Sequence, residues 1–326
     1  MDEATTPNAT VGFDLTTPVV SIVVPCFNRA GLVGQVVESV RRQTLCEWEL
    51  IVVDDGSSDD LPAALRSAQA DARVRLIRHE VNRGVSAARN TGIAAARGRF
   101  VAFLDSDDEW LPRKLELQLA AVMASDEPER AFCVTRTEVK MPGGWSRTRP
   151  IRGPEPGRSF AEYLYSDGGF AQCSSFFLST ALARKAPFRE GLRQYEDHLF
   201  FAEAGAGGAT YLLVPEVLTV WRNDARPDRL GARDSLPQAR LLIDLATNVL
   251  PRRALQAFEA RALFHLLWAS SARDATGLLW RAVRDQALTP RQASVLFVRN
   301  LVPSRIYQAL LKSVRRFEPA RTGASS

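Results

Sequence analysis

The amino-acid sequence predicts an α/β fold followed by an α-helical C-terminal region. Three apolar runs, at residues 19–24, 49–53 and 99–104, have the composition of buried strands, and each ends in a cluster of polar residues. Segments with helical periodicity lie between these runs, which indicates βαβ units and a sheet with helices on its faces. Beyond Arg226 the chain changes to helices rich in alanine, leucine and arginine.

The first hundred residues alternate strands with helices. The helix predicted over 32–43 carries one apolar stripe, formed by Leu32, Val33, Val36, Val37 and Val40. An Ala-rich helix is predicted over 86–97, in which Gly92 is small enough to permit close packing and after which Gly98 ends the helix. The other elements of this part are a helix over 61–70 and a strand over 74–77.

The second part of the chain is less regular. The pattern predicts helices over 111–123 and 196–204, and strands over 131–135, 209–214 and 218–221. Residues 141–158 contain prolines, glycines and arginines with little periodicity, which indicates a loop or a hairpin. Regular structure is expected again over 160–165 and 174–178. The C-terminal helices are predicted over 237–249, 252–271, 276–287, 290–299 and 303–317.

Charge is distributed unevenly, and it suggests three regions. The 326 residues carry a net charge of +5, whereas residues 226–326 contain 17 Lys and Arg against 7 Asp and Glu, a balance of +10. The rest of the chain is therefore at −5. We predict a disordered N-terminal tail over 1–17, an α/β domain over 18–225 and a basic helical region over 226–326.

Several classes of location and partner are disfavoured by composition. No run approaches the roughly 20 apolar residues of a membrane span, and the acidic, polar N-terminus is unlike a secretory signal. Four cysteines without metal-type spacing are expected to be structural thiols in a reducing cytoplasm, with Cys26 and Cys46 in or beside buried segments. The basic region lacks the features of a nucleic-acid module, so an anionic membrane surface or a lipid-linked acceptor is the expected partner.

The polar cluster Asp105-Ser106-Asp107-Asp108 follows the third apolar run directly. Ligands bind at the carboxyl ends of parallel strands, and crowded carboxylates favour a divalent cation such as Mg²⁺ or Mn²⁺. The alternative is a helix N-cap, because Trp110-Leu111-Pro112 resembles the start of a helix. Alone, the motif leaves both interpretations open.

Two further strands end in similar clusters. Asp54-Asp55-Gly56-Ser57 follows the run at 49–53, and Pro25-Cys26-Phe27-Asn28 ends the run at 19–24. Because the carboxyl ends of parallel strands meet at one edge of a sheet, these residues are expected to lie near the acidic cluster. The recurrence favours a nucleotide-binding crevice.

These motifs, together with Asn82-Arg-Gly-Val-Ser-Ala-Ala-Arg-Asn-Thr-Gly92 and Gln194-Tyr-Glu-Asp-His198, resemble in order and spacing the signatures of family 2 inverting glycosyltransferases. The resemblance covers roughly residues 18–225. It implies the GT-A fold, a Rossmann-like mixed sheet flanked by helices. It also implies a nucleotide-sugar donor, most often UDP-linked, and a saccharide or lipid-linked acceptor.

The resemblance also implies nucleotide-binding roles. Residues in these roles are Pro25, Phe27, Asn28, Asp55, Arg89, Asp105 and Ser106. Asp55 would accept a hydrogen bond from the imide N–H of uracil, since a carboxylate only accepts, and Asp105 would face the ribose. Each assignment has a structural alternative. Pro25, Phe27 and Asn28 would form a strand-ending turn with Phe27 in the core. Asp54 and Asp55 would form an acidic turn, and Arg89 would be an ordinary exposed arginine on a helix.

Catalysis and metal binding are assigned in the same way. The resemblance makes Asp107 the metal ligand and Asp197, beside Glu196, the general base that takes a proton from the acceptor hydroxyl. The alternative is that Glu196 and Asp197 only begin a helix. In the acidic cluster, Asp108 would cap the helix that follows it. The chain departs from the family at Asp224, where relatives often have a histidine: either Asp224 ligates the metal or that contact is lost.

Two other classes of protein compete with an inverting transferase. A nucleotidyltransferase would be expected to have a glycine-rich phosphate loop, of which only Asn28-Arg29-Ala30-Gly31 is present. A non-catalytic binding module would not need Asp55, Asp105, Asp107 and Asp197 together. The predicted helix over 303–317 is amphipathic and basic, so it either lies at a membrane interface or packs on the rest of the chain.

Overall fold

The alternation of strands and helices in the first hundred residues follows the sequence pattern closely. The computed structural model describes residues 17–141, 144–222, 235–268 and 270–301. The first elements are β1 (Val20–Cys26), α1 (Ala30–Arg41), β2 (Trp48–Asp54), α2 (Leu61–Leu65), β3 (Val74–Arg78), α3 (Val85–Ala95) and β4 (Phe100–Phe103). The subsequent elements are β5 (Glu109–Trp110), α4 (Lys114–Met123), β6 (Ala131–Met141), β7 (Trp145–Arg149), β8 (Phe177–Ser179), α5 (Thr180–Lys185), α6 (Glu196–Ala206) and β9 (Thr210–Arg222).

One mixed sheet contains all nine of these strands, in the order β3-β2-β1-β4-β8-β6-β9-β5, with β7 paired to β6. Strands β3, β2, β1 and β4 are parallel to one another, whereas β8 is antiparallel to both β4 and β6. The carboxyl ends of β1, β2 and β4 therefore meet at one edge. The polar clusters that follow these three strands begin at that edge.

Helices cover the central strands, which explains their continuous apolar runs. All seven residues of β1 and all seven of β2 are buried. The predicted stripe of α1 is confirmed, since Val33, Val36, Val37 and Val40 are buried in the same core as β1. Gly92 permits the close approach of α3 to β1, because an added Cβ would lie 2.3 Å from Cγ1 of Val23.

The second half differs from the sequence pattern in two places, and in a third it decides between two alternatives that the pattern left open. Helix α4 begins at Lys114 rather than at residue 111, because Glu109 and Trp110 pair with Val220 and Thr219 of β9 instead. The two strands predicted over 209–221 form one strand, β9, which lies parallel to β6 with irregular register at Arg136. The segment after Met141 forms a hairpin, in which β7 pairs with the end of β6.

The cysteines agree only in part with expectation. Cys26, Cys133 and Cys173 are buried free thiols, but Cys46 is exposed. It lies in the connection before β2, where its side chain is not part of the core. Cys46 thus lies beside a buried segment, as expected, but its exposed thiol does not pack as a core residue.

The chain divides into two units. The second contains residues 165–168 and the helices α7 (Leu236–Ala246), α8 (Arg252–Trp268), α9 (Ala272–Arg284) and α10 (Pro290–Leu301). Within this helical unit Phe264 and Phe297 lie against each other, with Trp268 edge-on to Phe297 at 5.5 Å. None of the described helices combines the length and apolar character needed to cross a bilayer. The predicted helix over 303–317 and Asp224 lie outside the described residues.

Candidate active site

The loops that follow β1 and β2 are tied together by hydrogen bonds. The backbone N–H of Asn28 donates to Oγ of Ser57 at 2.9 Å, and the N–H of Ser58 donates to Oδ1 of Asn28 at 2.9 Å. Asn28 has a φ of 53°, a conformation that asparagine tolerates better than most residues. Pro25 is buried, whereas Phe27 is 44% exposed and is therefore not a core residue. An exposed aromatic ring thus stands at the edge where the parallel strands end.

Asp55 is buried just after β2, and its carboxylate is surrounded by donors. It accepts from the N–H of Arg83 at 2.9 Å and from the N–H of Gly84 at 2.7 Å, and Nδ1 of His79 lies 2.7 Å from Oδ1. Asp55 therefore fixes the loop that leads into α3. His79, which the sequence analysis did not include, stands directly after β3 at the same edge, and this position is the signal that identifies it.

Asp54 has a purely internal environment. It is fully buried, and its Oδ1 accepts from the backbone N–H of Ser57 at 2.9 Å. The residue thus closes the turn after β2, as the acidic-turn interpretation expects of one member of this pair. The role of Asp55 toward a base stays a prediction.

Arg89 joins two motifs that are distant in the sequence. Its side chain is buried, and Nη2 donates to Oδ1 of Asp105 at 2.7 Å while Nη1 donates to Oε1 of Glu196 at 2.9 Å. The ring of Phe188 lies 5.0 Å from its guanidinium carbon. The expected alternative of an exposed helical arginine is wrong, because α3 turns this side chain inward.

The acidic cluster after β4 alternates between partly exposed and buried side chains. Asp105 and Asp107 are partly exposed, whereas Ser106 and Asp108 are buried. Burial, reinforced by the charges of Asp105 and Asp107, raises the pKa of Asp108 well above its ordinary value. The three carboxylates are thus close enough to repel one another, which is the electrostatic condition that favours a bound cation.

Asp108 holds three segments together. Its Oδ2 accepts from Oγ of Ser174 at 2.7 Å and from Nε2 of Gln172 at 2.6 Å, and the N–H of Arg222 lies 3.4 Å from Oδ1. The same Ser174 Oγ accepts from the N–H of Asp105 at 3.0 Å. Asp108 therefore does not cap α4, and the helix-cap interpretation of the acidic cluster is wrong. Ser174 and Gln172 were not predicted as site residues, since nothing in their local pattern distinguishes them from other turn residues.

The carboxylate oxygens at this edge of the sheet suit a hard divalent cation that is also bound by a ligand. Asp105 and Asp107 offer carboxylate oxygens, the ligands that Mg²⁺ and Mn²⁺ prefer. Among the described residues there is no group of three or more His, Cys, Asp or Glu side chains arranged to hold a metal by themselves. Mg²⁺ is commonly bound by one or two carboxylates together with substrate phosphates, and two carboxylates are what the cluster provides.

The second acidic pair begins α6. Tyr195 precedes this helix in the left-handed conformation, with a φ of 65°, and Glu196 and Asp197 occupy the first turn. Burial raises the pKa of Glu196, an effect that Arg89 opposes and that the nearby charge of Asp197 reinforces. Asp197 is partly exposed, and its Oδ1 accepts from the N–H of His198 at 2.8 Å. The helix dipole stabilises both acids at this position, whatever further role they have.

Comparison with known proteins agrees with this geometry. Residues 21–189 match the model of the glycosyl transferase family 2. The chain belongs to this family. The succinoglycan biosynthesis protein ExoO of Rhizobium meliloti is similar over 289 residues at 31% identity, which covers 82% of each chain. The resemblance stated from the motifs is therefore confirmed.

Other family 2 relatives match over shorter stretches. The Escherichia coli protein WfgD, named as a UDP-Glc:alpha-D-GlcNAc-diphosphoundecaprenol beta-1,3-glucosyltransferase, is 40% identical over 107 residues, 33% of this chain and 42% of WfgD. The putative teichuronic acid biosynthesis glycosyltransferase TuaG of Bacillus subtilis is 37% identical over 139 residues, 42% of this chain and 54% of TuaG. The chain thus spans about half the length of these two relatives.

Solved structures establish the fold of this family 2 chain. TarS of S. aureus, in complex with UDP-GlcNAc, superposes with a TM-score of 0.58 at 20% identity, covering 85% of this chain and 83% of that one. The mannosyltransferase PcManGT of Pyrobaculum calidifontis, in complex with GDP-Man and Mn²⁺, has a TM-score of 0.51 at 19% identity, covering 90% of each chain. The predicted GT-A fold, a mixed sheet flanked by helices with a helical C-terminal region, is confirmed.

Proposed function

We propose that this protein is a glycosyltransferase that moves a sugar from a nucleotide-sugar donor to a hydroxyl group of a saccharide or lipid-linked acceptor. The observation that carries the proposal is the contact of Arg89 with both Asp105 and Glu196. It brings the acidic cluster after β4 and the acidic pair of α6 to one site. Family membership supports the same activity, and relatives such as ExoO are named for polysaccharide biosynthesis.

The donor that we propose is UDP-linked. The Asp55 carboxylate has about four acceptor positions, of which Arg83, Gly84 and His79 occupy three, and the one that is left is matched to the imide N–H of uracil. The exposed ring of Phe27 is available for stacking on a base. WfgD is named for a UDP-sugar and TarS is solved with one. PcManGT has the same fold and is solved with GDP-Man, so the fold alone does not select the base.

We assign the metal to Asp107, with Asp105 beside it on the ribose side. When bound there, the cation, Mg²⁺ or Mn²⁺, would neutralise the charge that develops on the leaving diphosphate. The partly exposed carboxylates and the electrostatic repulsion within the cluster support this assignment. Asp108 has a different task in this proposal, because its oxygens already accept from Ser174 and Gln172.

Asp197 is the general base in this proposal. It takes the proton of the acceptor hydroxyl while the acceptor oxygen forms a bond to the anomeric carbon and the bond from that carbon to the nucleotide diphosphate breaks. A single displacement inverts the anomeric centre, so an α-linked donor yields a β-linkage. Glu196 is bound to Arg89 and has a positioning role in this proposal. Asp197, the next residue, is partly exposed.

The acceptor side of the proposal places the protein at the cytoplasmic face of a membrane. A lipid-linked acceptor would be presented there, and the balance of +10 in residues 226–326 matches an anionic membrane surface. WfgD is named for a diphosphoundecaprenol-linked acceptor. We do not assign a nucleic-acid partner.

A screen of nucleotide sugars tests the activity. The full chain is incubated with UDP-, GDP- and dTDP-sugars in Mn²⁺ or Mg²⁺, and separately with nucleoside triphosphates and sugar 1-phosphates. Donor hydrolysis and products are followed by mass spectrometry. We expect release of UDP from one UDP-sugar, increased by a saccharide or lipid-linked acceptor. Release of pyrophosphate from a nucleoside triphosphate would indicate a nucleotidyltransferase instead. Tight donor binding without turnover, over all acceptors, would indicate a binding module.

A further inference from the structure

Exposed apolar side chains are concentrated in the last two helices of the helical unit. The described residues include eight large hydrophobic side chains that are well exposed, and four of them lie between residues 280 and 301. These four are Trp280, Val295, Val298 and Leu301. Scattered single residues of this kind are ordinary, but four within 22 residues are a concentration that needs an explanation.

Helix α10 presents its apolar residues on one side. Val295 and Val298 are 50% and 51% exposed, and helical periodicity places them on the same side as Arg291. Ala293 is the buried residue of this helix, on its opposite side. The outward side is therefore both apolar and basic, while the inward side packs within the helical unit.

Helix α9 has a similar outward row. Trp280 is 63% exposed, and Arg273 and Arg284 fall on the same side by helical periodicity. The guanidinium carbon of Arg284 lies 5.0 Å from the ring centroid of Trp280. The inward side consists of Ala275, Leu278, Leu279 and Ala282. An exposed tryptophan flanked by arginines is typical of side chains at the level of lipid headgroups.

The charges of this surface select its occupant. Residues 272–301 contain five arginines against two aspartates, a net charge of +3. Residues 302–326 contain five Lys and Arg against one Glu, a net of +4, so this segment is not complementary to the surface. The same basic surface of a second copy of the chain is not complementary either. An anionic lipid bilayer offers negative headgroups for the arginines and an apolar layer for the valines, the leucine and the tryptophan.

We infer that the outward sides of α9 and α10, the α9–α10 surface, bind an anionic membrane. The surface consists of Arg273, Trp280, Arg284, Arg291, Val295, Val298, Arg299 and Leu301. This inference deepens the proposed function, because it rests on an acceptor presented at a membrane and names the residues that reach it. The surface uses none of the residues assigned to donor or metal.

Vesicle co-sedimentation of the full chain tests the inference. Vesicles of phosphatidylcholine alone are compared with vesicles that contain phosphatidylglycerol, at low and at high salt. We expect the chain to sediment with the anionic vesicles at low salt and to be released by salt. Arg291→Glu with Arg299→Glu should weaken binding by about 10-fold or more. Val295→Ser with Val298→Ser should weaken it by a similar factor of about 10.

Matched variants in the first unit are the controls. Arg66→Glu with Lys185→Glu changes the charge by the same amount, and Val81→Ser with Ile151→Ser removes exposed apolar side chains elsewhere. Both controls should sediment as the unaltered chain does. Equal sedimentation of the α9–α10 variants and the controls, or equal binding to neutral and anionic vesicles, would overturn the inference.

Two further measurements distinguish an anionic membrane from other occupants of the α9–α10 surface. Analytical ultracentrifugation without lipid shows whether the chain forms a dimer. A dimer that is lost in the Val295→Ser, Val298→Ser variant would assign the surface to a second copy and overturn the inference of membrane binding. A lowered thermal midpoint of that variant without lipid, with vesicle binding unchanged, would assign the surface to another part of the chain. Donor hydrolysis in solution should be unchanged in all these variants, so failure of the membrane inference is distinguishable from failure of the proposed activity.

Discussion

Arg89 donates a hydrogen bond of 2.9 Å to Glu196 across 107 residues of sequence. The side chain exposure of the arginine is 2% and that of the glutamate 12%, so this is a pair with little solvent around it. Because Arg89 also binds Asp105, it fixes the acidic pair of α6 relative to the acidic cluster after β4. The buried pair thus links the side of the site assigned to the donor with the side assigned to the acceptor.

Removing the arginine from this pair should destabilise the protein. Arg89→Met leaves Glu196 buried without its counter-charge, so we expect the free energy of unfolding to fall by about 3 kcal/mol. In the double variant with Glu196→Gln the loss should be smaller, with a coupling energy of about 1–3 kcal/mol. Urea denaturation of the four proteins measures it. The half-exposed pair Arg83 and Glu190 is the matched control, with an expected coupling below about 1 kcal/mol.

The general base is tested by Asp197→Asn, which preserves shape and removes basicity. Turnover should fall by about 10²-fold or more, while the affinity for UDP is retained, because the proton acceptor acts only in the chemical step. Steady-state kinetics and calorimetry measure the two quantities. The exposed Asp126→Asn is the control. Near-normal turnover of Asp197→Asn would mean that the acidic pair only begins α6 and does not supply the general base.

Metal dependence is tested through nucleotide affinity. With Asp105 and Asp107 facing a diphosphate, UDP should bind about 10-fold or more tightly in Mn²⁺ or Mg²⁺ than in EDTA, since phosphate oxygens complete the ligand set. Calorimetry compares the two conditions. Asp107→Asn should remove most of the difference, and Asp71→Asn should not. Equal affinity of the unaltered protein with metal and with EDTA would exclude the metal from the mechanism.

Two helical glycines should respond oppositely to alanine. Gly92→Ala should lower the free energy of unfolding by about 1–3 kcal/mol, because the new Cβ overlaps the branched side chain of Val23. Gly34→Ala in the exposed part of α1 meets nothing within 4 Å, so it should raise stability by about 0.5–1 kcal/mol. Thermal and urea unfolding measure both. A Val23→Ala background should reduce the cost of Gly92→Ala, and an unchanged cost would contradict the steric explanation.

Lys114 should make stability depend on pH. It is fully buried beside Trp110 and donates to Oε1 of Gln118 at 2.6 Å, and burial lowers its pKa to about 7. The unfolded chain therefore binds more protons than the folded one above pH 7, so this group should raise the free energy of unfolding by about 2 kcal/mol from pH 7 to 9. Denaturation at several pH values measures this. Lys114→Met should remove that increment, and the exposed Lys185→Met should keep it.

Local patterns predicted the elements that position the site. The apolar runs of β1, β2 and β4 were identified because strands covered on both faces need uninterrupted hydrophobic residues. Where a pattern was ambiguous, tertiary pairing decided the outcome. Residues 109–110 resembled the approach to a helix but form β5, because their backbone groups pair with β9, a strand more than a hundred residues later in the chain.

The sequence by itself determined the family, the order of strands and helices in the first hundred residues, and which residue types stand at the carboxyl edge of the sheet, since each of these depends on neighbours in the chain. Only the tertiary structure decided the partners of those residues. Arg89 binding Asp105 and Glu196, and Asp108 binding Ser174, are contacts between segments 16 to 107 residues apart. Such contacts arise from how the sheet and its helices pack, and no local spacing encodes them. The exposure of Val295 and Val298 was decided in the same way, because only packing determines which side of an amphipathic helix remains uncovered.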